Sequence, residues 1–258
     1  MRPFLICLKA EVLKSRNSMA VWLSLVGTAA NLLIFLGLHL LGGQVAGGFA
    51  ASDWRQYIIN HYDGIAFMML PLYVIILCSL VFLMENRSAM WVQLRALPIS
   101  PRQVYLGKLG FLLLLFLAAH LLFIIGMVLT GFLYGFLRPE TELMGSLPPP
   151  GLIAELAART FLSILGLMGL HAWLSLRFRA FIVPLLIGIL GYVVAGLLGT
   201  DWQWQFLNPY APGFLFMPLF KGEALAGHLG WFSPAEAMSI AYLGIFTAFA
   251  FRDMEQKG

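Results

Sequence analysis

The side chains that can do chemistry in this sequence are concentrated in one polar stretch between two long apolar runs. The stretch spans residues 85–108 and contains five charged residues: Glu85, Arg87, Arg95, Arg102 and Lys108. In its middle, four apolar residues recur with helical spacing and therefore share one face: Met90, Trp91, Leu94 and Leu97. A short amphipathic helix that lies flat between two membrane spans predicts a docking surface.

The second half of this stretch predicts where the next helix begins. Pro98 ends the short amphipathic helix, and Pro101 keeps the preceding Ser100 extended. Ser100 then has the position of an N-cap, Pro101 that of the first helical residue, and Gln103 completes a capping box. Residues 85–108 are therefore predicted to form an elbow, in which a flat helix and a proline-bounded corner lead into a new span.

Three histidines, His39, His120 and His171, lie inside apolar runs. His120 follows Lys108 by twelve residues, which is roughly 18 Å along a helix and places it near the middle of a bilayer. A buried histidine there can line a substrate path, and His120 and His171 are the candidates for this role, or it can be one ligand of a metal. The alternative is a histidine that hydrogen-bonds to a neighbouring helix.

Several kinds of chemistry have no signature in the sequence. The pattern GxxxxGK[ST] does not occur, so no ATP binding by a P-loop is expected. HExxH and GxSxG are also absent, which counts against common zinc and serine hydrolases. No Asp or Glu lies well inside a long apolar run, which counts against a carrier driven by protons or sodium. Cys7 and Cys78 are expected to form neither a disulfide nor a metal or redox site.

The composition is that of a membrane protein. Of the 258 residues, 60% are hydrophobic and 11% are charged, whereas a soluble domain carries about 25% charge. Lipid must therefore cover most of the surface. The formal net charge of +4 is spread along the chain without a basic run, so no nucleic-acid partner is expected.

Six apolar runs predict a single all-α transmembrane domain covering residues 1–258. The predicted spans lie at about 19–41, 65–84, 109–137, 152–176, 180–200 and 235–251. Residues 1–18 are predicted to form an interfacial amphipathic helix, with Arg2, Lys9 and Arg16 on one face. Its second face is apolar and comprises Phe4, Leu5, Leu8 and Val12. The alternative for this segment is a solvated leader.

The distribution of basic residues predicts the orientation. Six spans place both termini on one side, and that side carries twelve of the 16 Lys and Arg residues. The four on the other side are Arg55, Arg138, Arg159 and Lys221. By the positive-inside rule, both termini and the elbow are therefore predicted to be cytoplasmic.

The connecting segments carry weaker signals. Trp54, Tyr57 and Tyr62 suit a membrane interface. Gly131 and Gly135 form a GxxxG that predicts a close helix contact, and Glu155 and Arg159 are spaced for an ion pair. Prolines interrupt the aromatic segment 201–234, which predicts short interfacial or re-entrant helices before the last span.

In the order of these features, the chain resembles the ABC-2-type permeases, the membrane subunits of one class of ABC transporters. The resemblance covers nearly the whole chain and rests on the amphipathic start, the six-span layout and the proline-broken segment with Asn208-Pro209. It also rests on the pattern E-x-R…L-P-x-S-P…G-K, formed by Glu85, Arg87, Leu97, Pro98, Ser100, Pro101, Gly107 and Lys108. In length the chain is similar to small permeases of bacteriocin-immunity and of peptide- or drug-export systems.

The resemblance implies a non-catalytic subunit in a bacterial inner membrane, which pairs with a second permease, identical or homologous, and docks a separate cytosolic ATPase. That ATPase would bind the ATP and Mg²⁺, so no cofactor is expected in this chain, and export is the expected direction. The elbow would be the coupling helix, with an apolar anchor of Trp91, Leu94 and Leu97 and a basic rim. The implied coupling residues are Glu85, Arg87, Trp91, Leu94, Arg95, Leu97, Pro98, Ser100, Arg102 and Lys108.

Two functions of other classes stay open on the sequence. One is a membrane anchor or sensor whose elbow recruits a cytosolic signalling protein. The other is a membrane enzyme that uses the intramembrane histidines.

Overall fold

The structure is a computed structural model that describes residues 2–41, 51–64, 69–87, 100–178, 180–198, 204–211 and 233–256. Within these ranges all regular structure is helical. The eight α-helices are α1 Arg2–Ser15, α2 Met19–Leu41, α3 Trp54–Gly64, α4 Leu70–Arg87, α5 Pro101–Leu137, α6 Pro150–Phe178, α7 Ile182–Leu198 and α8 Pro234–Gln256. One 3-10 turn, Gln205–Leu207, lies in the segment before α8. The prediction of an all-α fold is confirmed for the described part of the chain.

Within the described ranges, four helices are long and apolar enough to cross a membrane, namely α2, α5, α6 and α8. The apolar helices Leu70–Leu83 in α4 and Ile182–Leu198, which is α7, are shorter than the ~20 residues that a crossing usually needs. Four of the predicted spans are thus supported by length and composition, and the six-span arrangement stays a prediction. Residues 65–68, where the predicted second span begins, lie outside the described residues.

Helix α1 packs along the beginning of α5 through part of its predicted apolar face, since Phe4 and Leu8 lie against Gly110. Its buried residues are Cys7, Glu11 and Ser15. Of the predicted apolar face, Leu5 and Val12 point outward, with 58% and 45% of their surface exposed. The reason is the shape of α5: a Cβ on Gly107 would lie 2.7 Å from the Cβ of Cys7. The glycine admits the α1 backbone, and this close approach selects the face that is buried.

Helix α3 carries the three aromatic side chains that were predicted to suit a membrane interface. Trp54, Tyr57 and Tyr62 are all buried. The indole Nε1 of Trp54 donates to the carbonyl of Leu143 at 2.9 Å, and a Cβ on Gly131 would lie 2.4 Å from the Trp54 ring. The close helix contact predicted for the GxxxG of α5 is therefore present, and its partner is α3. Its first glycine, Gly131, leaves room for the Trp54 indole.

Helices α6 and α8 run parallel and are joined along their length. At one end, Arg159 lies 3.0 Å from Glu155, as the spacing predicted, and 3.3 Å from Glu236. At the other end, Arg177 lies 2.9 Å from Asp253. Between the two ends, a Cβ on Gly166 would lie 3.0 Å from the backbone of Ser239, so the two helices nearly touch. Small residues and interhelical hydrogen bonds are the usual means of helix association in lipid.

Candidate functional site

The start of α5 has the capped geometry that the sequence predicts. Ser100 is extended, at φ −69° and ψ 142°, and Pro101 occupies the first turn. The Ser100 hydroxyl accepts from the backbone N–H of Gln103, while the Ser100 N–H donates to the Gln103 side chain at 3.2 Å. This reciprocal pair satisfies donors that a helix start leaves without partners. One end of the elbow is therefore held rigidly on a long helix.

The apolar anchor of the elbow is outside the described residues. The residues outside the description are 88–99, and they include Trp91, Leu94, Arg95, Leu97 and Pro98. Glu85 and Arg87 belong to the last turn of α4. The structure therefore describes the two supports of the elbow, the end of α4 and the start of α5, and the docking face itself stays a prediction.

Lys108, the last residue of the elbow, is buried inside the protein. Its side chain has no exposed surface, and its Nζ lies 3.1 Å from both carboxylate oxygens of Glu11 in α1. The ammonium group is also 5.6 Å from the ring centroid of Phe82 in α4. Because Lys108 is fully enclosed, it cannot touch a docked partner directly. It joins α1, α4 and α5 at the point where the elbow ends.

Glu11 itself is shared between two lysines. Lys14, one turn further along α1, lies 2.9 Å from the same carboxylate. Glu11 was not among the predicted site residues, although it is the only acidic residue before Asp53 in the sequence. A single acid on a basic amphipathic helix is a candidate for an internal partner.

Arg102 connects the elbow to the C-terminal helix. Its guanidinium donates to the Glu255 carboxylate in α8 and lies 5.6 Å from the ring centroid of Phe251. Both partners of this ion pair are more than half exposed, so Arg102 stays accessible to a docking protein. Asp253, on the same last turn of α8, accepts from Arg177 and from the indole of Trp173. Neither Asp253 nor Glu255 was predicted from the sequence to have a role.

These contacts define one end of the bundle, here called the terminal end, formed by α1, the start of α5 and the last turns of α6 and α8.

Burial raises the pKa of the Cys7 thiol at this end, and the nearby Glu11 charge raises it further. The thiol therefore stays protonated and weakly nucleophilic at neutral pH.

The two candidate pathway histidines lie in different surroundings. His120 lines a cavity between α2, α4 and α5, and its Nε2 is buried without a hydrogen-bond partner. His171, in α6, is fully buried with its Nε2 3.1 Å from the Tyr210 hydroxyl, and it does not line that cavity. His171 thus fits the structural alternative, a hydrogen bond to a neighbouring segment. The structure does not bring the two histidines into one site.

The cavity has a volume of about 310 Å³. Its wall is mostly apolar, with a few polar side chains that include Thr28, Asn31, Tyr73 and His120. Asn31 was not singled out from the sequence, because one amide in a long apolar helix gives no pattern. No charged residue lines the cavity among the residues described there.

The opposite end of the bundle holds a pair of stacked histidines, His39 and His61. The rings of His39 and His61 stack with centroids 5.0 Å apart, and both contact Tyr57, at 4.6 and 4.4 Å. The Nδ1 of His61 donates to the carbonyl of Tyr57 at 3.0 Å. Burial, together with the neighbouring His39, lowers the pKa of His61 to about 3. His61 is therefore neutral at physiological pH.

The described residues hold no cluster of three or more His, Cys, Asp or Glu side chains that could bind a metal ion.

In comparisons with known proteins, a family model described as "ABC-2 family transporter protein" matches residues 7–196. The matched region extends from α1 into α7 and includes both supports of the elbow. Neither the curated proteins nor the solved structures gave a match.

Proposed function

Because the chain belongs to the ABC-2 family of transporter proteins, we propose that it is the membrane-spanning subunit of a bacterial ABC exporter. It is a multi-pass membrane protein and a transport component, and proteins of this family work with an ABC ATPase. The observation that carries the proposal is the family match across residues 7–196, which contains the predicted elbow and the capped start of α5. The inner membrane and export are part of the proposal.

A separate cytosolic ATPase supplies the energy in this proposal. The sequence has no P-loop of its own, so ATP and Mg²⁺ are bound by the partner. The elbow enters a groove of the ATPase, with Trp91, Leu94 and Leu97 as the apolar anchor. Aromatic and apolar residues that fill a pocket at the centre of an interface usually carry most of its binding energy. Arg87, Arg95 and Arg102 form the basic rim, and Glu85, at the end of α4, transmits the movement to that helix.

Two permeases assemble in the proposed transporter, either two copies of this chain or this chain and a homologous one. The terminal end faces the cytoplasm, in agreement with the twelve basic residues on the predicted inner side. Lipid covers the outward apolar residues of α1 and α2.

The ion pairs of the terminal end give the elbow a mechanical connection to the bundle. Ser100 holds the elbow to α5, Lys108 joins α5 to Glu11 of α1, and Arg102 joins it to Glu255 of α8. A displacement of the elbow by the ATPase then moves three helices together. Pro98 separates the flat helix from this rigid block and serves as the corner.

The docking proposal is tested by co-purification of the partner ATPase with the double variant Trp91→Ala and Leu94→Ala. The variant should insert into the membrane at normal levels and lose the ATPase. The matched control is Trp22→Ala with Leu25→Ala, a pair with the same spacing on α2, where the side chains are 58% and 48% exposed. The control should retain the ATPase. Equal recovery of the ATPase with both variants would show that the elbow is not the docking helix.

A further inference from the structure

The cavity between α2, α4 and α5 contains polar atoms that the protein itself does not satisfy. The Asn31 side chain is only 7% exposed, and neither its Nδ2 nor its Oδ1 has a hydrogen-bond partner. His120 is 6% exposed, and its Nε2 is in the same condition. Both residues line the cavity. Buried polar atoms of this kind are uncommon because leaving them without partners costs free energy.

The hydroxyl groups of the same wall are satisfied within the protein. Ser24 donates to the carbonyl of Ala20 at 2.8 Å, so the Tyr73 hydroxyl, 2.7 Å away, donates to Ser24. Thr28 donates to the carbonyl of Ser24 at 2.6 Å. Among the described polar side chains that line the cavity, Asn31 and His120 are the ones with buried atoms that have no partner. The difference indicates that their partner comes from outside the protein.

The chemistry of the wall defines what this partner must be. Most of the lining is apolar, including Leu23, Leu72, Ile76, Phe116 and Phe123, which suits a hydrocarbon or ring body. The absence of charge among the described lining residues suits a neutral molecule. An asparagine amide offers one acceptor and two donors side by side, and this pattern is complementary to another amide. The volume of about 310 Å³ is at the small end of ligand sites.

We propose that this cavity binds an uncharged amphiphile, an apolar chain or ring system that carries an amide group. The amide pairs with Asn31, His120 provides a further hydrogen bond, and the apolar body lies against α4 and α5. The proposal deepens the proposed function, since it names the chemistry of a ligand held by the permease.

The probe is hexadecanamide carrying a photoreactive diazirine, and diazirine-bearing hexadecane is its counterpart without the amide. The full-length permease in phosphatidylcholine nanodiscs is labelled with each probe, and the labelled peptides are mapped by mass spectrometry. The amide probe should label the cavity segments of α2, α4 and α5, and unlabelled hexadecanamide should displace it. Asn31→Leu should weaken labelling about tenfold through the lost hydrogen bonds.

A second pair of variants keeps the test independent of Asn31. A Cβ on Gly27, in the cavity wall, would meet only Leu23 Cδ1, at 3.9 Å, and a Cβ on Gly37 would meet nothing within 4 Å. Both glycines are on α2, but only Gly27 lines the cavity. Gly27→Phe should block labelling, and Gly37→Phe should leave it intact. Equal labelling by both probes, or labelling that Asn31→Leu and Gly27→Phe do not change, overturns the proposal.

The amide can belong to a membrane lipid or to a transported molecule, and lipid analysis separates these sources. An amide-bearing lipid that co-purifies with the wild type and is lost from Asn31→Leu identifies the membrane as the source. Labelling without such a lipid identifies a cargo. Binding is measured on the permease alone, so its failure leaves ATPase docking untouched, and a failure of docking leaves the binding result intact.

Discussion

Lys108 of α5 directs its ammonium group at both carboxylate oxygens of Glu11 in α1, at 3.1 Å, across 97 residues of sequence. This pair joins the end of the elbow to the amphipathic N-terminal helix. Removal of one member of a buried ion pair lowers the free energy of unfolding by about 3–5 kcal/mol. Replacement of both members by apolar groups is often neutral.

Glu11→Gln should lower the free energy of unfolding by about 3 kcal/mol, because it removes the carboxylate beside a fully buried ammonium. Lys108→Met should cost less, because Lys14 still neutralises Glu11 at 2.9 Å. The double variant should recover most of the loss. Thermal unfolding of the purified protein in detergent measures this order. A wild-type melting temperature for Glu11→Gln would contradict the role of the pair.

Gly107→Val should separate α1 from α5, since a Cβ there would lie 2.7 Å from the Cβ of Cys7. The readout is the rate at which a maleimide modifies Cys7, followed by mass spectrometry. In the wild type the rate should be low at neutral pH, because the raised pKa of Cys7 keeps the thiol protonated. The variant should react faster. Gly37→Val on α2, which has open space, is the control and should react at the wild-type rate.

Ser100→Ala should destabilise the start of α5 by about 1 kcal/mol, because the N-cap hydroxyl no longer accepts from the Gln103 N–H. Ser100→Asp keeps an acceptor and should be close to the wild type. Hydrogen exchange of the first-turn amides is the measurement. If both variants exchange alike, the cap does not hold this end of the elbow.

Stability should fall in acid because of His61. Its folded pKa of about 3 is below the ordinary value of 6.5, so protonation favours the unfolded state. The contribution is fully present above pH 6.5 and is lost as the pH falls toward 3. By pH 5 the loss should be about 2 kcal/mol. His61→Phe, which keeps an aromatic ring beside Tyr57, should remove this part of the pH dependence in thermal unfolding. An unchanged pH profile in the variant would assign the effect to other groups.

The features that the sequence determined by itself are those whose partners lie within one helical turn. Ser100 and Gln103 are three residues apart, and Glu155 and Arg159 are four, so their interactions follow from helical geometry alone. The long apolar helices α2, α5 and α6 could also be predicted from the sequence, for a different reason. A bilayer requires a minimum length of apolar helix, and that length can be counted along the chain.

Only the tertiary structure decided which distant residues are in contact, because these contacts depend on where two helices cross. Gly107 lets α1 approach α5, which brings Glu11 to Lys108 and turns Leu5 outward. The packing of α2 against α5 likewise places Asn31 and His120 in one cavity. His171, on α6, instead lies beside Tyr210. Spacing along the chain can mark a contact surface, as the GxxxG at Gly131 does, but it does not identify the helix that packs there. The partners could therefore only be found in the folded protein.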